Sequence, residues 1–139
     1  MSNILIVDDE KVIRQTLRDI LEYEGYKIDE AENGFIALEC IKNKQYDAVL
    51  CDIKMPKMDG IEVLEKSMEI NPDVPFIMIS GHGTIEIAVE ATKKGAYAFI
   101  TKPPDLNQLL LQTRNALDKN NLVKETKVLK RRITKTREI

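Results

Sequence analysis

The sequence predicts an α/β protein of (βα)5 form, an open parallel sheet of five strands packed between two layers of helices. Three observations predict it. Ile4 to Val7, Ala48 to Cys51 and Phe76 to Ile79 are uninterrupted apolar runs, the pattern of strands buried on both faces. Segments with helical spacing of apolar residues follow each strand, and glycine, asparagine and proline stand at the joins. Right-handed crossovers then build the sheet, and the small version of this architecture has strand order 2-1-3-4-5.

The elements follow in chain order. After the first strand, Ile13, Leu17, Ile20 and Leu21 mark one face of a helix. Ile28 to Ala31 is a weaker strand, placed near an edge because it carries Asp29 and Glu30. Ala37, Leu38 and Ile41 mark the second helix, and Ile61, Leu64 and Met68 the third. Ile85, Ala88 and Val89 give the fourth its apolar stripe, Ala98 to Ile100 is the fifth strand, and Leu106, Leu109, Leu110, Thr113 and Leu117 line the last helix. Gly25, Asn33-Gly34, Asp59-Gly60, Asn71-Pro72 and Gly95 occupy the joins, where backbone freedom or a helix stop is needed.

A chain of 139 residues, 43% apolar and 32% charged, is sized for one domain plus a tail. No apolar stretch reaches the roughly 18 residues of a membrane span. The opening Met-Ser-Asn lacks the basic and apolar regions of a secretion signal, so a cytoplasmic location is expected. Cys40 and Cys51 both lie in apolar runs, which suits buried thiols better than a disulfide or a metal cluster. The net charge of −2 conceals an asymmetry: residues 1–117 carry −7, and residues 118–139 carry +5. The division expected is therefore a globular domain over 1–117 and a helical extension over 118–139, whose basic residues form a solvated helix face rather than a nucleic-acid site.

In such a sheet the binding crevice lies beyond the carboxyl ends of the strands. Strand 1 ends in Asp8-Asp9-Glu10, strand 3 in Asp52, strand 4 in Ser80 and strand 5 in Thr101-Lys102. Because strands 1 and 3 are neighbours, their carboxylates crowd together. A hard divalent cation relieves that repulsion, and Mg²⁺ fits a site of few carboxylates with positions left for phosphate oxygens. Carboxylates beside Mg²⁺, with a hydroxyl and a lysine on adjacent strands, form a constellation for phosphoryl transfer. Asp52 is the candidate nucleophile, with Lys102 and the metal offsetting the added charge.

These motifs resemble the receiver domain of bacterial two-component response regulators. The resemblance rests on Asp8-Asp9, on Asp52 followed by Ile53-Lys54-Met55-Pro56-Lys57-Met58-Asp59-Gly60, on Ser80, and on Lys102-Pro103, and it covers about residues 3–117. It implies a flavodoxin-like three-layer fold and a sensor histidine kinase that donates a phosphoryl group to Asp52. It further implies that Asp9, Asp52 and the backbone carbonyl of Lys54 ligate Mg²⁺, with Asp8 acting through water. Ser80 would hydrogen-bond the phosphoryl group, Lys102 would pair with it, and the peptide bond between Lys102 and Pro103 would be cis. Ser80 and Phe99 would form the conformational switch. Phe99 lacks the phenol of the commoner tyrosine, leaving packing to select its inward rotamer. Lys54 and His82 would border the path of the hydrolytic water, and both are expected to shield the phosphoryl group.

The run Met78 to Thr84 and the run Lys94 to Phe99 resemble the nitrogen-regulator (NtrC-like) class of transcriptional activators, in which a helical linker joins the receiver to an ATPase and a DNA-binding domain. No phosphate-binding loop of the G-x-x-x-x-G-K-[ST] type occurs, so the chain is not itself that ATPase. Pro104 stands where the class usually has phenylalanine, which bears on the packing after strand 5. The sparse stripe Leu122, Leu129 and Ile133, interrupted by Glu125 and Arg132, predicts an extension that pairs two chains only marginally.

Two alternatives compete. One is a stand-alone receiver acting as an interaction module. The other is an Asp-nucleophile phosphatase, which loses its proton donor because Lys54 stands where a large family of such enzymes has a second aspartate.

Overall fold

The computed structural model describes residues 2–81, 85–102 and 104–119. Five strands, β1 (Asn3–Val7), β2 (Lys27–Ala31), β3 (Ala48–Asp52), β4 (Phe76–Ser80) and β5 (Ala98–Thr101), alternate with helices α1 (Lys11–Tyr23), α2 (Gly34–Asn43), α3 (Gly60–Ile70) and α4 (Ile85–Lys93). A fifth helix, α5, occupies residues 106–119. All strand pairs are parallel and the order is β2-β1-β3-β4-β5, as the sequence predicts. His82, Pro103 with its peptide geometry, and the extension past residue 119 lie outside the described residues.

Successive strand residues point to opposite faces, and each face has its own core. Leu5, Val7, Val49, Cys51, Phe76 and Met78 pack under α2, α3 and α4, against Leu38, Val63, Leu64 and Ala91. Ile4, Ile6, Leu50, Ile77, Ile79 and Ile100 pack under α1 and α5, against Leu17, Leu21, Leu109 and Ala116. Each fully buried aliphatic side chain contributes roughly 1.5–3 kcal/mol, so the apolar runs of the central strands are where the sheet is held most firmly. Cys51 is wholly buried and Cys40 half-buried, both as free thiols.

Helix α4 departs from the expected orientation. Ile85 and Val89 face solvent, Ile85 with 85% of its surface exposed, whereas Ala91 is buried and Ile87 is partly buried. Helix α5 shows a smaller departure, with Leu106 half exposed and Leu109, Thr113, Ala116 and Leu117 forming its buried face.

Two of the joins do something other than supply backbone freedom. Asn33 and Asp59 are N-caps, their side chains accepting the Ile36 and Glu62 N–H groups at 2.9 Å. Gly34 and Gly60 are the first helical residues, and it is space they provide: a Cβ on Gly60 would lie 2.1 Å from the carbonyl oxygen of Asp52. Positive φ is confined, among the described residues, to Gly25, Gly95 and Lys57. Lys57 sits in the β3–α3 loop, where the Met58 N–H meets the Pro56 carbonyl at 2.8 Å and the chain turns back to bond the Gly60 N–H to the Ile53 carbonyl at 2.8 Å. That return lays the start of α3 against the end of β3.

Candidate functional site

Chain order scatters the acidic residues, and the sheet gathers them. Val7 is in register with Cys51, so Asp8 and Asp52 emerge side by side at the carboxyl edge. Across the sheet, Ser80 is in register with Thr101, and the Lys102 N–H donates to the Ser80 carbonyl at 2.9 Å. Lys102 then reaches back over the sheet edge. Its Nζ donates to Asp8 Oδ2 at 2.8 Å and lies 3.4 Å from Asp52 Oδ1. Asp8, Asp52 and Ser80 are buried, and Lys102 is mostly so.

The turn after β1 carries the rest of the cluster. Asp8 Oδ1 accepts the Glu10 N–H at 2.9 Å, and Asp9 and Glu10 are exposed. Carboxylate oxygens of Asp8, Asp9 and Glu10 all lie within 4.8 Å of one another. Helix α1 begins at once after Glu10, and its positive end faces these acids, an arrangement worth roughly 0.3–1 kcal/mol per charge. Glu10 joins the tight grouping although the expected ligand set omitted it. Asp52 is tied to the grouping through Lys102 and Asp8. Lys54 is exposed in the loop after β3. Phe99 is half-buried against the core under α4, in register with Met78.

Residues 4–114 match the response regulator receiver domain family. The chain belongs to that family. The transcriptional regulatory protein ZraR of Klebsiella oxytoca is 40% identical over 115 residues, which is 83% of this chain and 26% of ZraR. The nitrogen assimilation regulatory protein NtrX of Azorhizobium caulinodans is 42% identical over 130 residues, 92% of this chain and 29% of NtrX. This receiver thus spans little more than a quarter of these relatives' length. Among solved structures, a CheY-like receiver domain from Methanospirillum hungatei JF-1 is 36% identical with a TM-score of 0.84, covering 87% of this chain and 97% of that one. The receiver domain of NtrX from Brucella abortus is 39% identical with a TM-score of 0.79, covering 83% and 98%. No helix among the described residues of the receiver is long and apolar enough to cross a membrane.

The electrostatics of the receiver follow from this packing. Burial foremost, and then the Asp8 charge, push the Asp52 carboxyl up while Lys102 pulls it back, and the balance leaves it raised from 3.8 to about 6. Burial alone would lower the Lys102 pKa, but Asp8 and Asp52 outweigh it and the ammonium is held above its ordinary value. Asp8, Asp9 and Glu10 offer a donor set of hard oxygens beside an Asp52 carboxyl that burial and the Asp8 charge hold up, which suits a small divalent cation.

A stability test follows. Between about pH 4 and pH 6, folded Asp52 keeps a proton that the unfolded chain has released. Stability therefore falls as pH rises through that window, and the deficit is complete above it. A shift of this size corresponds to about 3 kcal/mol at most. With a chelator present, Asp52→Asn should gain up to about 3 kcal/mol near pH 7.5 and nothing near pH 4, read by urea unfolding. A gain of equal size at both pH values would contradict a buried, repelled carboxylate.

Proposed function

We propose that the receiver accepts a phosphoryl group on Asp52 from the phosphohistidine of a sensor histidine kinase, with Mg²⁺, and thereby controls a transcription-activating output. The observation that carries this reading is Lys102 bridging Asp8 and Asp52 beside the Asp8, Asp9 and Glu10 cluster. A buried carboxylate with a lysine partner, beside a cluster of acids that can hold a cation, is arranged to take on more negative charge.

Asp9, Asp52 and the Lys54 carbonyl would hold Mg²⁺, with Asp8 acting through water, and the bound ion would neutralise phosphoryl oxygens. An Asp52 carboxylate oxygen forms the new bond to phosphorus as the P–N bond to the kinase imidazole breaks, and the electron pair of that bond stays on the departing nitrogen. The Lys102 ammonium turns from the Asp52 carboxylate to a phosphoryl oxygen, and the Ser80 hydroxyl donates to another. Movement of Ser80 toward the phosphoryl group makes room beneath it, and Phe99 on the neighbouring strand takes the inward rotamer. Lys54 and His82 border the approach of water and set how long the phosphoryl group stays.

On this reading the chain catalyses only its own phosphorylation and dephosphorylation, in the cytoplasm. Residues 1–117 are the receiver domain, and residues 118–139 begin a helical linker that pairs two chains and leads, in a longer protein, to ATPase and DNA-binding domains. The length of ZraR and NtrX supports that arrangement. The acidic balance of residues 1–117 argues against nucleic-acid binding by the receiver itself.

Incubation with a small acyl phosphate and Mg²⁺, followed by intact-mass measurement, should add about 80 Da, the mass of one phosphoryl group. Asp52→Asn should abolish the adduct. An undiminished adduct on that variant would move the acceptor elsewhere.

A further inference from the structure

Asp8 is held by its main chain as well as its carboxylate. Its N–H donates to the Ala31 carbonyl at the end of β2, at 3.2 Å. Its carbonyl accepts a hydrogen bond from Arg14 Nη1, one turn into α1, at 2.8 Å. Arg14 Nε donates in turn to Glu30 Oε1 at 3.2 Å, and Arg18 takes the other oxygen of Glu30. Arg14 is mostly buried, with 13% of its side chain exposed. Two bonds in different directions fix a planar guanidinium as a single ammonium contact cannot.

The bonded carbonyl belongs to the peptide unit joining Asp8 to Asp9. Because that unit is planar, fixing its oxygen sets the direction in which Asp9 leaves the main chain. Asp9 and Glu10 are exposed and have no neighbouring strand to hold them. We propose that Arg14, anchored by Glu30, is a positioning residue for the acidic turn and sets how tightly that turn takes a divalent cation. This rests on the reading of the turn as a Mg²⁺ site.

Charge and positioning make opposite predictions here. Removing a cation near an acidic cluster would, by Coulomb attraction alone, tighten Mg²⁺ binding. Loss of a group that orients a ligand weakens it, typically by 10–100-fold. Calorimetric titration of the 139-residue chain with MgCl₂ separates the two. Arg14→Ala should weaken binding by about tenfold or more. Arg14→Lys, which keeps the charge and loses the fork, should also weaken it and serves if the alanine variant does not fold. Glu30→Gln should leave the affinity unchanged in the Arg14→Ala background, because Glu30 acts through Arg14. Binding by Arg14→Ala as tight as that of the parent chain, or tighter, would overturn the proposal. A parent chain that takes up no Mg²⁺ would instead overturn the metal-site reading beneath it.

Discussion

Gly60→Ala should destabilise the receiver by about 3 kcal/mol or more, and Asp52 should lose reactivity toward a phosphodonor along with the stability. The added methyl would sit 2.1 Å from the Asp52 carbonyl oxygen, 2.9 Å from its carbon and 2.9 Å from Ile53 Cα. All three are backbone atoms of the strand that carries Asp52, so none can swing aside. Relief requires α3 to move off the end of β3 and break the bond from the Gly60 N–H to the Ile53 carbonyl. Two other glycines calibrate the measurement. At Gly34 the same methyl would meet Met58 Sδ at 2.8 Å and Val63 Cγ2 at 2.8 Å, side-chain atoms that can yield, so Gly34→Ala should cost less. Gly25 has φ +92° and open space, so alanine there should cost only the left-handed backbone penalty of about 1–2 kcal/mol. Denaturant unfolding of the three variants should rank Gly60 worst, and equal losses at Gly60 and Gly25 would mean that the β3–α3 contact is looser than it stands here.

Lys102→Met should cost about 3–5 kcal/mol near pH 7.5, because it leaves Asp8 and Asp52 buried with no cation between them. The loss should depend on pH in a definite direction. Without Lys102 the Asp52 pKa rises further above about 6, so stability keeps falling with pH above the point where the parent chain has levelled off. Below about pH 4 Asp52 carries its proton in both proteins, and the part of the difference that comes from its charge should vanish. Mg²⁺ binding should tighten, since one positive charge has left the site, while phosphorylation should fail. Loss of phosphorylation together with weakened Mg²⁺ binding would show that Lys102 holds the acids in place rather than neutralising charge.

Much of this site was legible because strand ends are legible. Uninterrupted apolar runs marked β1, β3 and β4, and the 2-1-3-4-5 order alone brought Asp8 and Asp9 beside Asp52, with Ser80 and Lys102 on the following strands. Helix α4 was misread because it is apolar on more than one side. Ile85, Ile87, Ala88, Val89 and Ala91 offer two stripes, and only the sheet beneath decides for Ile87 and Ala91. The role of Gly60 was hidden for a different reason. Asp-Gly at a join signals a turn, whereas the constraint is a non-local approach to the Asp52 carbonyl. Arg14 was also missed, although a signal existed: Glu30 is the last residue but one of the strand beside β1, and a basic residue one turn into α1 can reach it.

The charges on β2 have a consequence for how this protein meets other molecules. An outermost strand offers unpaired N–H and C=O groups on which a second sheet could grow. Here Asp29 is tied to Lys44 at 2.9 Å and to the Tyr46 hydroxyl at 2.7 Å, while Glu30 is tied to Arg14 and Arg18. A strand arriving from another chain would have to lie alongside this row of paired charges and long side chains. The opposite margin, β5, is only four residues long. Both borders therefore resist lateral growth into fibrils or swapped sheets. Partners are directed to helical surfaces, where they can come and go while the hydrogen-bonded ladder that sets Asp8 beside Asp52 keeps its register.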